Sequence, residues 1–255
     1  MKKLFIVTGV MAALVLSSCK KDKDSGPDNG SGGSTKLLKK VTERANGTTT
    51  VYNLNFDANK RLTFLGSTDN LETTNFSYDG AGNVIKIEEK EHNYYSTYTY
   101  TYNNGIPVSG TLKTIIKTAG EPDDLVEDDV LTYTVVNNQV TKIHHKMNLA
   151  DVELDINLAY HPSGNLAKAE ITGDEVYSIN YIYGAKKTAF PNMSKFVLDL
   201  SFLLAFAAKN ELITTVMDFP GTQFDQAVTN QYTYDANGYP LTSNDGQTQL
   251  KFEYQ

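Results

Sequence analysis

The stretch FSYDGAGNVIKI, residues 76–87, decides the fold because it reads as a complete β-hairpin. Phe76 and Tyr78 close one strand-like run, and Val84 opens the next. Between them lies Asp-Gly-Ala-Gly-Asn, in which Asp and Asn side chains bond nearby backbone groups and Gly takes a positive φ at no steric cost. The stretch therefore predicts two antiparallel strands joined by a tight turn.

Five relatives of this hairpin recur along the chain, at residues 52–65, 98–112, 133–143, 158–171 and 232–243. The residues predicted to form the structural turns are Asp57, Asp79, Gly82, Asn83, Asn103, Asn137, Gly164, Asp235 and Gly238. The turns begin 22 to 74 positions apart, which is too irregular for a solenoid and suits a meander of hairpins.

Polar and apolar residues alternate between the turns. In YYSTYTYTY, residues 94–102, most tyrosines point one way and the threonines the other, and VELDINLAY, residues 152–160, alternates likewise. Such patterns are typical of an antiparallel sheet with one buried face. We predict an all-β fold: a single antiparallel up-and-down meander of about 14–16 strands, strongly curled or closed into a barrel.

One segment departs from this pattern. Residues 191–210, PNMSKFVLDLSFLLAFAAKN, favour a helix with Asn192 as its cap and with Lys195 and Asp199 spaced to form a pair. The apolar residues leave little polar face, which is typical of a buried helix. We predict one buried apolar helix near residues 193–209 that lies across the concave side of the sheet as a plug.

The N-terminus has the pattern of a bacterial lipoprotein signal. A charged start precedes an apolar run of signal-peptide length, and the following LSSC ends at Cys19 and resembles a lipobox. We predict a signal peptide at residues 1–18, an acylated Cys and flexible tether at residues 19–35, and a β domain at residues 36–255. Acyl chains on Cys19 would hold the protein on the outer membrane, on its periplasmic or its surface face.

The chain is acidic, with a formal net charge of −7 that becomes −9 once residues 1–18, which contain two lysines, are removed. Nucleic acid binding needs a basic face, so we expect no nucleic acid partner. The same net charge predicts that the domain does not lie flat on an anionic membrane. Cys19 is the single cysteine, so no disulfide is expected, and we expect a monomer.

The hairpins YDGAGNV and YDANGYP, residues 78–84 and 234–240, resemble the YD repeat of Rhs-type proteins. With the lipobox and tether, they give residues 16–255 a layout similar to that of uncharacterised Bacteroidota-type lipoproteins described as having a porin-like β fold. The resemblance implies a large curled sheet or barrel in the cell envelope. It implies no activity, because that family has no known catalytic residues.

Two groups of residues are candidate ligand sites. One is a run of six acids whose mutual repulsion a Ca²⁺ ion would relieve: Glu121, Asp123, Asp124, Glu127, Asp128 and Asp129. The other is a platform of aromatic rings that would stack on a ligand: Tyr94, Tyr98, Tyr100 and Tyr102. The alternatives are structural, namely a solvated acidic loop and aromatic packing in the core.

Motifs of common enzyme chemistry are absent from the sequence, including HExxH, paired CxxC, GxSxG and the Walker loop. We therefore expect a non-enzymatic binding or structural module of the envelope, with an unknown ligand and no cofactor other than Ca²⁺. Three alternatives stay open: a carrier of an apolar ligand within the curled sheet, a membrane-spanning barrel, and a glycan-acting enzyme with carboxylates from distant strands.

Overall fold

A computed structural model describes residues 36–200, 203–223 and 225–255. The predicted signal peptide, Cys19 and the tether lie outside these residues. The described chain forms 17 strands and one short helix. They are β1 Leu38–Ala45, β2 Thr48–Phe56, β3 Leu62–Ser67, β4 Glu72–Tyr78, β5 Val84–Glu91, β6 Tyr94–Asn103, β7 Ile106–Ile116, β8 Asp124–Val136, β9 Gln139–Met147, β10 Val152–Tyr160, β11 Leu166–Gly173, β12 Tyr177–Lys187, α1 Leu203–Ala207, β13 Asn210–Asp218, β14 Gln226–Thr229, β15 Gln231–Tyr234, β16 Pro240–Asn244 and β17 Thr248–Tyr254.

The strands form one antiparallel sheet that is nearly closed into a barrel. Successive strands pair from β1 to β14 and again from β15 to β17. Strand β17 also pairs with β1, where Phe252 lies opposite Val41, and this pairing joins the two ends of the meander. The predicted up-and-down meander is confirmed.

The ring is interrupted between β14 and β15, which only Asn230 separates. The Asn230 N–H donates to the carbonyl of Ile213 at 2.8 Å, so the chain stays beside β13 at this point. Strand β14 pairs with β13, whereas β15 pairs with β16. One extended run, residues 226–234, therefore changes partner midway, and its division into two strands brings the count to 17 rather than the predicted 14–16.

The inner and outer faces of the wall follow the alternation in the sequence. On β10, Leu154, Ile156 and Leu158 are buried in the core. Glu153 and Asp155, which alternate with them along the strand, face outward and pair with lysines of β9. Inward apolar side chains from around the wall join one hydrophobic core, whose burial is the main force that closes the sheet.

The predicted helix over residues 193–209 is wrong in its extent. Among the described residues of this segment, only α1, Leu203–Ala207, is helical, although Met193, Phe196 and Leu198 are buried as the apolar pattern indicated. The apolar pattern indicates that the segment is buried, but it does not by itself indicate a helix. Inside this barrel the wall supplies hydrogen bonds that a helix would otherwise have to provide itself. No helix in the described part of the chain is long and apolar enough to cross a membrane.

The repeated turns share one set of hydrogen bonds. In the turn at residues 79–83, Asp79 Oδ1 accepts the N–H groups of Ala81 and Asn83 at 2.9 and 2.8 Å, and Gly82 has a φ of 87°. The Asn83 side chain donates to Asp79 Oδ2 at 2.8 Å. This bond, followed by those from the backbone, lowers the pKa of Asp79. The turns at Asp57 and Asp235 have equivalent backbone bonds, so these carboxylates hold their own loops.

A tyrosine ties four of the hairpins to the neighbouring strand. In each case the hydroxyl donates to a carbonyl of the first or second residue after a turn. The bonds join Tyr78 to Leu62 (2.6 Å), Tyr102 to Val84 (2.9 Å), Tyr160 to Val140 (2.8 Å) and Tyr254 to Pro240 (2.8 Å). The repeated tyrosine therefore fixes the position of one hairpin against the next.

The variant Tyr102→Phe should lower the free energy of unfolding by about 1 kcal/mol, because it removes one half-buried hydrogen bond and leaves the Val84 carbonyl unpaired. Urea unfolding followed by circular dichroism measures this change. Tyr94→Phe on the same strand is the control, since Tyr94 is 41% exposed, and it should change stability by less than about 0.5 kcal/mol. Equal effects of the two variants would contradict the structural role of the hydroxyl.

The two ends of the barrel carry different connections. The up-and-down order places the turns β2–β3, β4–β5, β6–β7, β8–β9, β10–β11 and β15–β16 at one end, which we call the Asp-turn end. Residues 188–209, which we call the plug, connect β12 to β13 and therefore enter the barrel at this end. Lys36, just before β1, is also there, with its Nζ 2.5 Å from Asp235 Oδ2. The other connections lie at the opposite end, the far end.

Candidate functional site

The barrel interior is the candidate functional site, because the space inside a wide barrel is where such folds hold ligands. Here the plug occupies it. Leu198 and Leu203 are 0% exposed, and the ring of Phe206 lies edge-on to Phe76 of the wall, with centroids 6.0 Å apart. Phe190 packs on Phe206 in the same way at 5.5 Å. The plug thus completes the hydrophobic core.

Polar groups of the wall hold the tip of the plug, which we define as Leu198 and Asp199. Tyr100 donates its hydroxyl hydrogen bond to Asp199 Oδ2 at 2.8 Å, and Tyr133 donates to the carbonyl of Leu198 at 2.9 Å. Asp199 Oδ1 accepts the N–H of Leu203 at 2.9 Å. Burial is the first cause of a raised pKa at both tyrosines, and the charge of Asp199 is the second. Both hydroxyls therefore stay protonated and act as donors.

Asn165 fixes the exit of the plug, and sequence reasoning missed it. Asn165 occupies the turn position equivalent to Asn83, but its turn begins with His161 instead of Asp. Within its own turn, the Asn165 side chain keeps only a long bond to Ser163 Oγ, at 3.4 Å. It accepts the N–H of Lys209 at 2.7 Å and donates to Asn210 Oδ1 at 2.8 Å. The sequence feature that could have drawn attention to Asn165 is His161, which stands where the turn of Asn83 has Asp79.

Beyond the tip of the plug, the inner wall becomes polar. We define the polar belt as the inward side chains of β4–β8 at this level: Glu72, Glu89, Ser96, Thr114, Glu127 and Asp129. Within it, Thr114 Oγ1 donates to Glu127 Oε2 at 2.7 Å and lies 2.9 Å from Ser96 Oγ. Asp129 Oδ2 is 2.7 Å from His145 Nε2, and Tyr52 donates to Glu72. The belt places four carboxyl groups in the barrel wall.

The carboxyl groups of the belt repel one another in a partly buried setting. Burial raises the pKa of Glu89 to about 7, and the charges of Glu91 and Asp199 add to the shift. Burial also raises the pKa of Glu127, against the effect of its bond from Thr114. On β1, the pKa of Glu43 is raised first by burial and then by the charge of Glu72. Glu89 is therefore poised to change charge near neutral pH.

The six acids predicted to share a cation do not converge. Residues 124–129 belong to β8 rather than to a loop, and alternation along a strand turns neighbouring side chains to opposite faces. Asp129 is buried inside, whereas Asp128 Oδ1 lies 3.2 Å from Lys113 Nζ on the outside. Asp123 pairs with Lys117 at 3.8 Å. Among the residues that the structure describes, no group of three or more His, Cys, Asp or Glu could hold a metal ion.

Three of the four tyrosines of the predicted ligand platform line the interior instead. Tyr98 and Tyr100 are 4% and 3% exposed, Tyr102 is half-buried in its bond to Val84, and Tyr94 lies exposed at the far end. The platform was predicted from alternation, which cannot distinguish a core face from a binding face. The rings of Tyr98, Tyr100 and Tyr102 pack in the core.

The outer wall of the barrel carries many charged and hydroxylic side chains together with exposed apolar ones, among them Val108, Ile182 and Leu241. Ion pairs cross it at Lys40–Glu253 (2.7 Å), Lys86–Glu88 (2.6 Å), Lys142–Asp155 (2.8 Å), Lys146–Glu153 (2.9 Å) and Lys168–Glu170 (3.4 Å). Hydroxyl pairs also join its strands, such as Thr99 with Thr111 at 2.6 Å. Charged and hydroxylic side chains of this kind are suited to contact with water.

Charge is divided between the two ends. In the described chain, the far-end connections carry one lysine, Lys117, and eight acids: Asp69, Glu121, Asp123, Asp151, Asp174, Glu175, Asp225 and Asp245. At the Asp-turn end, the connections and the residues before β1 carry five basic residues, Lys36, Lys60, Arg61, Lys195 and Lys209, and Lys186 and Lys187 end β12 beside them. The acids of its turns, Asp57, Asp79 and Asp235, accept hydrogen bonds within those turns. The Asp-turn end is therefore basic and the far end acidic.

Comparison with known proteins supports the fold alone. No family model matches the sequence, and no curated protein matches it. The fold is similar to that of a porin-like protein from Bacteroides vulgatus ATCC 8482, with a TM-score of 0.58 and 15% identity over 87% of this chain and 99% of that one. It is also similar to a porin-like protein from Bacteroides uniformis ATCC 8492, with a TM-score of 0.50 and 13% identity over 86% of this chain and 98% of that one. The chain shares a porin-like β-barrel fold with these proteins.

Proposed function

We propose that this protein is an envelope lipoprotein, anchored to the outer membrane through Cys19, in which a plugged β-barrel acts as a non-enzymatic binding or structural module. The observation that carries the proposal is the filled interior. The described residues of the plug, 188–200 and 203–209, occupy the space in which a barrel enzyme or carrier would hold its ligand, and they are packed and hydrogen-bonded to the wall.

The polar outer wall supports anchoring through a lipid rather than through the strands. A spanning barrel presents an apolar band about 25 Å tall, and a lysine at the centre of that band costs about 2–4 kcal/mol. Here five ion pairs lie on the outer wall, on strands from β1 to β17. A water-exposed barrel carried by an acylated N-terminus accounts for these charges and for the lipobox together.

The bonding of the polar belt supports a non-enzymatic role. Glu72, Glu127 and Asp129 are held by Tyr52, Thr114 and His145 of the wall. A general acid or base needs a carboxyl group that is free to meet a substrate, whereas these three are engaged by side chains of the wall. A carrier of an apolar ligand would have to expel the plug to make room for that ligand. Native mass spectrometry would show co-purified lipid if the protein were such a carrier. We expect a mass free of lipid.

Residues 20–255, produced without the signal peptide and Cys19, should remain in the supernatant without detergent and elute as a monomer. The acylated chain should float with lipid vesicles on a density gradient, because each buried CH₂ of its acyl chains contributes about 0.8 kcal/mol to membrane binding. Detergent dependence of residues 20–255 would instead favour the membrane-spanning barrel. Loss of flotation in the Cys19→Ala chain is the matched control for the anchor.

A further inference from the structure

We infer that the Asp-turn end of the barrel is a docking surface for an anionic bilayer, so that the anchored barrel stands with its far end pointing away from the membrane. This inference rests on the lipid anchor proposed above and adds an orientation to it. The partner surface is a sheet of anionic lipid headgroups, which attracts clustered lysines without needing a shaped pocket.

The charges of the Asp-turn end fit such a surface. Lys60, Lys186 and Lys195 are exposed there. The acids of the same end do not oppose them strongly, since Asp57 lies 2.7 Å from Arg61 and Asp235 lies 2.5 Å from Lys36. Each lysine close to an anionic leaflet contributes about a fivefold preference for the bound state, so a cluster gives a definite orientation.

The path of the chain leads to the same end. β1 begins at Leu38, and Lys36 and Leu37 lie at the Asp-turn end, where the Leu37 N–H donates to the Gln255 carbonyl. The tether predicted at residues 19–35 must therefore join the barrel there. A flexible linker of that length has a mean span of about 20–25 Å, which keeps this end within reach of the bilayer.

The acidic far end is too distant to cancel this attraction. Strands of about nine residues, tilted as in barrels, separate the two ends by about 20–25 Å. The Debye length is about 8 Å at physiological ionic strength, so the bilayer responds mainly to the end beside it. The net charge of the whole chain, from which we predicted that the domain does not lie flat on an anionic membrane, averages over two ends of opposite sign.

Orientation can be read by energy transfer from a dye on the acylated chain to acceptors at the vesicle surface. Ala58→Cys places the dye at the Asp-turn end and Ala119→Cys places it at the far end, and both positions are exposed. On vesicles of phosphatidylcholine and phosphatidylglycerol, transfer from Ala58→Cys should exceed transfer from Ala119→Cys. On pure phosphatidylcholine or at high salt the difference should shrink to the part that the tether alone imposes.

Two triple variants decide whether the basic end is responsible. Lys60→Gln, Lys186→Gln and Lys195→Gln together should weaken the orientation preference about a hundredfold. Lys113→Gln, Lys117→Gln and Lys146→Gln remove the same charge from strand and loop positions nearer the far end and should preserve it. Equal transfer from the two dyes on anionic vesicles, or equal loss in both triple variants, would overturn the inference. Failure to float with neutral vesicles would contradict the lipid anchor. Even then, the comparison of energy transfer from the two dyes on anionic vesicles would decide whether the Asp-turn end docks.

Discussion

The variant Phe206→Ala should have a free energy of unfolding about 3–5 kcal/mol below that of the wild type. Phe206 is 4% exposed at the centre of the plug, where it touches Phe76 of the wall and Phe190 of the plug. Truncation removes its apolar contacts and leaves a cavity that the closed wall cannot fill by collapsing. Alanine is a good helix former, so α1 itself is not weakened by the exchange.

Guanidinium unfolding at pH 7 measures this change, and circular dichroism and tyrosine fluorescence serve as signals because the chain contains no tryptophan. Ile182→Ala is the matched control, since Ile182 is 52% exposed on the outer wall, and its effect should stay within about 0.5 kcal/mol. A loss below about 1 kcal/mol in Phe206→Ala would show that the plug does not belong to the cooperative core.

Glu89→Gln should raise the free energy of unfolding by about 3 kcal/mol at pH 8 and change it little at pH 4. The pKa of Glu89 is raised to about 7 in the folded protein, first by burial and then by the charges of Glu91 and Asp199. Glu72 opposes its ionisation too, whereas Tyr98 favours it through a hydrogen bond. In the unfolded chain an ordinary glutamate pKa of about 4.3 applies.

The direction of the pH dependence follows from these two pKa values. Below about pH 4.5 both states hold the proton, and the folded protein bears no cost from this group. Between about pH 4.5 and 7 the unfolded state releases the proton while the folded state keeps it, so stability falls as pH rises. Above pH 7 the folded protein holds a charged Glu89 and the loss is complete. Glutamine at this position carries no charge, so the variant lacks this part of the loss.

Denaturant midpoints at several pH values between 4 and 8 test this prediction. Glu88→Gln is the control, because Glu88 is the outward neighbour on β5 and pairs with Lys86 at the surface. Its difference from the wild type should not grow with pH as that of Glu89→Gln does. A constant difference for Glu89→Gln would show that the carboxyl is not destabilised inside the barrel.

The fold was largely predictable from local sequence because its unit is local. A hairpin needs only a turn with Asp, Asn or Gly and two alternating strands, and FSYDGAGNVIKI contains all of these. Repetition of the unit predicted the meander, and the number of strands predicted a curled or closed sheet. The burial of residues 193–209 was equally readable, because the segment has almost no polar face.

The sequence misled us where contacts with distant residues, rather than neighbouring residues, set the conformation of a segment. Among its described residues the plug has five in helix, and Tyr133, more than 60 positions earlier in the chain, donates to the Leu198 carbonyl that a longer helix would have bonded internally. The six acids of residues 121–129 looked like one site because they are close in sequence. Glu121 and Asp123 lie before β8, and alternation along β8 sends Asp128 and Asp129 to opposite faces of the wall.

The sequence by itself determined the hairpins, the alternation of inner and outer faces and the acidic total charge, since each depends on neighbouring residues or on composition. Only the tertiary structure decided that Asn165 holds the plug, that the carboxyl groups of the polar belt face one another, and that basic and acidic connections collect at opposite ends. These features depend on ring closure, which brings residues from many strands to one level of the barrel. FSYDGAGNVIKI contributes one such strand pair, with Asp79 at the Asp-turn end and Ile87 in the core.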